Sequence, residues 1–558
     1  MRITSRCGRR LARLASLAVV LFATAPSAAM GATVRIPFPR DPGALTPLTF
    51  ELGYPLLTLV YDTVTWRDPA GVPRPWLARS VRAVDGGRRV LVRLRAGPRW
   101  HDGRPLTARD VAFTYDFMRA RRHPRFAPQL TAIASVRARD DRTVEFRLRH
   151  PSIGFADQPL ADVPILPAHL WRGLAPGLRA PSGAPVGSGP YRYASLRPDG
   201  GLNLTAVRKY FRGRPRADFI EIPIIPEARD MLAALRRGAA DTLPFTLTSP
   251  QVTNVSSIST RIARGSSYLG TMLMFNVRRA PFDRVQVRRV IADALDLQRI
   301  ARGAGARTPA TSGFLHPRSR WAPRATAPLR RPGPGRPLRA LGLPKIRVLA
   351  PLGDDVRREA GRQVVLALRR AGAAARLATL SRARLGRAVG EGGARPSFDV
   401  AIWSIPPLAS HDPDFLKVVF GGGSAGVLNR SGYSSAAFDR LAAEVGAAPS
   451  VSARRQAVAA LLGRLAHDAP AVPLLFSDGT FAYRSTSPAG WTFVAGSGIL
   501  DKQSLLRDPP DRLPPRAAPV PPASDGDGGG PGLFGILGAG MLVVALVVGG
   551  AAALGRRR

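Results

Sequence analysis

The chain has 558 residues, 45% of them hydrophobic, with 56 glycines and 53 prolines. That is too long for one ordinary core and too apolar for a disordered chain, so two to four folded domains are expected. The net charge of +44 comes almost wholly from arginine spread through every segment, with lysine only at positions 209, 345, 417 and 502. No single basic stripe interleaved with aromatics exists, so a nucleic-acid partner is not expected.

The first 29 residues read as a signal peptide: arginines at 2, 6, 9, 10 and 13, an apolar run from Leu14 to Thr24, and small residues at Ser27-Ala28-Ala29. The only cysteine, Cys7, precedes the apolar run, where it cannot serve as a lipid-anchor site. Processing would leave a chain with no disulfide, no thiolate ligand and no cysteine nucleophile. Thr33 to Phe38 follows as a strand, and Leu56 to Thr65 is apolar and β-branched. Arg89 to Arg95 (RVLVRLR) alternates apolar and basic residues, the pattern of a half-buried strand. Thr107 to Arg121 reads as a helix, opened by Thr107 with Asp110 three residues on, a capping-box spacing. Further strands are expected at 142–149, 218–225, 272–277, 345–350, 399–404 and 471–476. Helices are expected at 227–237, 284–299, 355–370 and 452–467, with a Pro/Arg-rich loop over 317–344. Residues 506–532 form a Pro/Gly linker. The uncharged run 533–554 is long enough to cross a bilayer, and the tail 555–558 ends in three arginines, which orients it to the cytoplasm.

Catalytic and metal-binding signatures are absent: there is no G-x-x-x-x-G-K-[ST], no H-E-x-x-H, and the seven histidines are scattered. No cofactor is expected. Gly422 to Gly426 fits G-x-S-x-G, but the following VLNRSGY reads as loop, whereas a nucleophile elbow needs a helix there. Asp412 and Asp414 flank Pro413 and read as a solvated turn.

Several segments resemble extracytoplasmic solute-binding proteins of family 5, the oligopeptide, dipeptide and nickel type. The most specific is AVDGGRRVLVRLRAGPRWHDGRPLTARDVAFTY at 83–115, with Trp100-His101-Asp102-Gly103 and Thr107-Ala108-Arg109-Asp110-Val111. Val186 to Tyr191 resembles the family's G-S-G-P-Y segment, Met274-Phe275-Asn276 its F-N strand, and Ser431 to Ser435 its S-G-Y-S-N segment. The resemblance implies a periplasmic-binding-protein-like α/β fold, not an enzyme: two lobes joined by a hinge, plus a smaller inserted domain. Lobe I would comprise residues 33–65, 186–275 and 478–505, the inserted domain 66–185 and lobe II 276–477. It implies a peptide or small-molecule ligand and ABC permease and ATPase partners, while the apolar run 533–554 is expected to hold the globular part outside the cell membrane. A surface receptor with the same fold and no transporter is the alternative, and a secreted hydrolase a third class. Peptide binders of the family carry an Asp three residues before an Asp-Pro pair to hold the peptide amine. Here Asp412-Pro413 is present but Ala409 stands at that position. The candidate ligand-binding residues are Tyr268, Asn276, Trp403, Ile405, His411 and Asp412, expected to form an aromatic, apolar wall with few charges. Such a wall would favour a ligand without a free amine.

Overall fold

A computed structural model describes residues 31–507 except 44, 49–53, 122–124, 157, 175–179, 324–337, 424, 425 and 427. The signal peptide, most of the linker, the apolar run 533–554 and Ser424 of the G-x-S-x-G segment therefore lie outside the described residues.

In chain order the elements begin β1 (Thr33–Arg35), α1 (Tyr54–Val60), β2 (Thr65–Arg67), β3 (Pro73–Pro75), β4 (Ala78–Val84) and β5 (Arg89–Leu94). Next come α2 (Ala108–Ala120), β6 (Ile133–Ala138), β7 (Thr143–Leu148), α3 (Pro159–Asp162) and α4 (Ala168–Trp171). Then follow β8 (Tyr191–Leu196), β9 (Leu202–Ala206), β10 (Phe219–Ile222), α5 (Ala228–Arg237), α6 (Ser249–Val255) and the long β11 (Thr260–Phe275). The second half holds α7 (Val285–Asp293), α8 (Leu297–Gly303), β12 (Thr308–Pro309), β13 (Ile346–Pro351), α9 (Asp355–Arg370), β14 (Ala375–Leu380) and α10 (Arg382–Ala388). It ends with β15 (Val400–Ile405), α11 (Pro407–His411), α12 (Phe415–Phe420), α13 (Ala436–Ala447), α14 (Val451–Asp468) and β16 (Ala471–Arg484).

Three larger sheets organise these elements: β1-β10-β9-β8, β4-β5-β7-β6, and the six-stranded β12-β16-β11-β15-β13-β14. Local chemistry accounts for many of them. In β5 the alternation buries Val90, Val92 and Leu94 while Arg93, on the opposite face, is exposed. The capping box forms as read: Asp110 Oδ2 accepts from the Thr107 amide at 2.8 Å. Helix α5 stops at Gly238, whose φ of 80° suits a residue without a Cβ. The β4-β5-β7-β6 sheet and the β1-β10-β9-β8 sheet share one continuous core, in which Val34 and Ile36 join Val92, Tyr115 and Phe146. The six-stranded sheet is covered on both faces by separate cores, and its β15 is buried at every position.

Two expectations change. The helix expected over 284–299 is two helices: α7 ends after Asp293, and Asp296 caps α8 by accepting from the Arg299 amide at 3.0 Å. The strands expected at 272–277 and 471–476 are the ends of a long antiparallel ribbon, β11 with β16, pairing from Thr260↔Arg484 to Met274↔Ala471. The register slips between Ser266 and Gly270, and Tyr268 there has a φ of 59°. Beyond the slip, Gly270 to Phe275 also pair with β15, so the last six residues of the segment assigned to lobe I lie in the six-stranded sheet.

Candidate functional site

A cavity of about 1770 Å³ opens between the α1–β2 segment and the six-stranded sheet. Its walls come from α1 and β2 on one side, the β11–β16 ribbon along its length, and β15 with α11 on the other. It exceeds the roughly 300–1,000 Å³ of ordinary small-molecule pockets.

Trp403 and His411 both line it. Trp403 lies near the end of the buried strand β15, with the Arg382 guanidinium 5.3 Å from its ring centroid. His411 ends α11 against two glycines of positive φ, Gly71 and Gly496. A Cβ at Gly496 would collide with His411 Nε2, so the close approach requires glycine. Burial, helped by the nearby Arg67, lowers the His411 pKa well below the ordinary histidine value, which keeps the ring neutral.

Tyr268 supports this wall from behind. Its ring centroid lies 5.1 Å from that of His411 and 4.9 Å from that of His316. His316 accepts from the Arg318 amide through Nδ1 at 3.0 Å, and burial with Arg318 nearby pushes its pKa down to about 4.

The other three expected residues are not brought to the cavity. Asn276 is a strand-end clamp: its Nδ2 donates to the Phe398 carbonyl at 3.0 Å. Ile405 is 2% exposed, opposite Gly270 in the ladder, with its side chain in the core. Asp412 turns towards α14, where its Oδ1 accepts from Arg454 Nη2 at 2.5 Å. Arg454, 1% exposed, also lies 3.3 Å from Asp414 and stacks 4.6 Å over Trp321. The Asp-Pro turn thus serves an internal ion pair rather than a solvated surface, and Ala409 is buried in the core.

The expectation of a wall with few charges is overturned. Among the described residues, ten arginines and seven carboxylates line the cavity. At one end, Tyr54 donates its hydroxyl hydrogen to Asp162, with Oη 2.8 Å from Oδ1, while Arg125 pairs with Asp162 at 2.6 Å and covers the Tyr54 ring at 3.9 Å. Burial pushes the Asp162 carboxyl up, but Arg125, Arg67 and Gln129 outweigh it and hold it below the usual value. These residues come from segments more than thirty residues apart, which no local pattern could join. Asp478, in an SDGT stretch that resembles a turn, sits inside β16 instead and faces the cavity. Among the described residues no group of three or more His, Cys, Asp or Glu side chains is placed to hold a metal ion.

The fold and the enclosed cleft are those of a solute-binding protein. The family model for bacterial extracellular solute-binding proteins, family 5, matches residues 72–426, and the chain belongs to that family. A Brucella ovis protein provisionally named an ABC transporter peptide-binding protein is 30% identical over 309 residues, 53% of this chain and 58% of that protein. The oligopeptide-binding protein AppA of Bacillus subtilis is 29% identical over 252 residues, 43% of this chain and 45% of AppA. The chain thus matches about half the length of these curated relatives. Among solved structures, the ABC transporter substrate-binding protein CtaP of Listeria monocytogenes superposes with a TM-score of 0.74 at 19% identity. That match covers 85% of this chain and 99% of CtaP.

Proposed function

We propose that this protein is the substrate-binding subunit of an ABC importer, capturing a peptide-like or other small solute outside the cytoplasmic membrane and handing it to a permease and ATPase. The observation that carries this reading is the cavity of about 1770 Å³, walled by elements from both sides of the molecule in a chain of this family. Trp403 and His411 are the proposed ligand contacts from the expected set, with Tyr268 positioning His411. The protein supplies binding and orientation and carries out no chemistry of its own.

The lobe division proposed here keeps the inserted domain at 66–185 and moves one junction. The first half of the β11–β16 ribbon goes with lobe I, because the Asp241 amide donates to the Arg35 carbonyl of β1 and the Arg484 amide to the Asp241 carbonyl. The second half goes with lobe II through β15. The slip at residues 266–270 is then the natural hinge, where few ladder bonds need to change as the lobes close.

No helix among the described residues is long and apolar enough to cross a membrane. The apolar run 533–554 is proposed as the anchor on sequence grounds. Deleting the chain in its host and measuring uptake of the solute that co-purifies with it tests the transport reading. Lost uptake, restored by the wild-type chain, supports it. Unchanged uptake with retained binding would favour a receptor instead.

A further inference from the structure

The charged groups on the cavity wall are unevenly paired. Asp162 is held by Arg125, Asp354 by Arg357, Asp355 by Arg358, Glu359 by Arg362 and Glu391 by Arg382. Asp501 accepts from Trp66 and Gln503. Asp478 is the exception: among the described residues no ion pair reaches it within 4.0 Å, although it is half-buried and lines the cavity. The three lining arginines whose charges act on it, Arg264, Arg307 and Arg318, likewise form no ion pair among the described residues.

Strand register brings these groups together. Arg264 lies opposite Thr480 and Ser266 opposite Asp478 in the β11–β16 ribbon. Opposed residues, and residues two apart, share a face, so all four project on the cavity side. Arg307 precedes Thr308, which lies opposite Phe476, two residues before Asp478. Arg318 is fixed by its backbone, its carbonyl accepting from the Tyr268 hydroxyl at 3.4 Å and its amide donating to His316. The charges of three cavity-lining arginines thus act on one carboxylate, which shares its wall with Ser266 and Thr480 and whose neighbouring carboxylates are already occupied.

We propose that the bound solute carries an acidic group, of carboxylate or phosphate chemistry, held by Arg264, Arg307 and Arg318, and that Asp478 limits how much negative charge the site accepts. This rests on the reading of the cavity as the solute site. Arginine presents a planar fork of donors to an oxyanion, and charge-assisted bonds of this kind are the stronger ones. Asp478 repels an incoming anion, which restricts the site to ligands that engage several of the arginines at once.

The test is isothermal titration of the full-length protein with five probes: Ala-Glu-Glu, Ala-Gln-Gln, Ala-Lys-Lys, citrate and inorganic phosphate. The peptides read charge at constant backbone, while citrate and phosphate separate the two anion chemistries. At least one acidic probe should bind about tenfold or more tighter than Ala-Gln-Gln, with Ala-Lys-Lys weaker still. Arg264→Gln, Arg307→Gln and Arg318→Gln should each weaken that probe about tenfold. Asp478→Asn should strengthen it severalfold, a gain that misfolding cannot produce. The inference is overturned if no acidic probe binds, if the neutral or basic peptide binds as tightly, or if the arginine variants leave acidic binding unchanged. Tight binding of Ala-Gln-Gln that is lost in Trp403→Ala would sink this inference and leave the solute-binding reading standing. Absence of binding by every probe, with no uptake defect on deletion, would sink both.

Discussion

Replacing Lys502 by methionine probes how the end of the folded chain is locked to its beginning. Lys502 is fully buried, its Nζ 2.9 Å from Asp62 Oδ1 and 440 residues distant in sequence. The ammonium also lies 4.3 Å from the Trp66 ring centroid and 5.2 Å from that of Trp76. Removing one partner of a buried pair costs about 3–5 kcal/mol, because the other charge stays buried without its counter-ion. The lost cation–π contact adds to this by up to about 2 kcal/mol. Asp62 keeps three donors, however: Trp76 Nε1 at 2.8 Å, the Tyr210 hydroxyl at 2.7 Å and the Ser188 hydroxyl at 3.1 Å. Those bonds hold the net loss near the lower bound, about 3 kcal/mol. Native-state hydrogen exchange, read peptide by peptide, measures the effect. Protection of segments 57–67 and 499–506 should fall by about a hundredfold, the factor that about 3 kcal/mol implies. The double variant Asp62→Asn with Lys502→Met should lose less than the sum of the single variants. A fall below about threefold, or additive single effects, would refute the account of this lock.

Further predictions concern the site and the ends of the chain. Stability should decline on acidification from pH ~6.5 to about 4, since burial lowers the pKa values of His101 and His316 to about 4 and that of His411 below the ordinary value. The unfolded chain then binds more protons than the folded one, so protonation favours unfolding; His316→Gln should flatten the pH dependence of the melting temperature. Affinity for an acidic probe should rise as pH falls through the Asp478 pKa, which burial raises against the opposing arginines; the Asp478→Asn variant should lose that pH dependence in titrations. Gly496→Ala should destabilise the protein by about 1–3 kcal/mol through a strained positive φ and the collision with His411; adding His411→Ala should restore part of the loss in thermal melts. A chain truncated after Leu505 should leave the membrane fraction on salt washing, and retention there would remove residues 533–554 from the role of anchor.

Much of the architecture was legible because it is written locally. The period-two alternation of RVLVRLR gave β5, Thr107 with Asp110 gave the start of α2, and helix α9 follows its expected bounds, Asp355–Arg370. The errors fall where local pattern and long-range pairing part company. Residues 260–269 (TRIARGSSYL) carry no clean alternation, yet they form a strand because β16 supplies the ladder from more than two hundred residues away. The site was legible only in part. Trp403 lies near the end of the buried strand β15 and His411 ends the helix that follows, and both line the cavity to which reading towards that strand's end pointed. Asp412 looked equally placed, but the buried Arg454 on α14 captures its carboxylate. The charged wall was invisible from sequence: Asp162 meets Arg125, and Asp478 comes under the charges of Arg264, Arg307 and Arg318, only through topology, and these arginines are camouflaged among 82 basic residues.

The central claim, that this chain encloses a small solute in its cavity, is tested most directly by melting the purified full-length protein in the presence of low-molecular-weight fractions of its growth medium. A ligand at a hundred times its Kd stabilises the folded state by about 2.7 kcal/mol, a shift of several degrees. At least one fraction should raise the Tm, and Ser497→Trp, which fills space at the cavity wall, should abolish the rise. If no fraction shifts the Tm, or the blocked variant responds as the wild type does, the claim is contradicted.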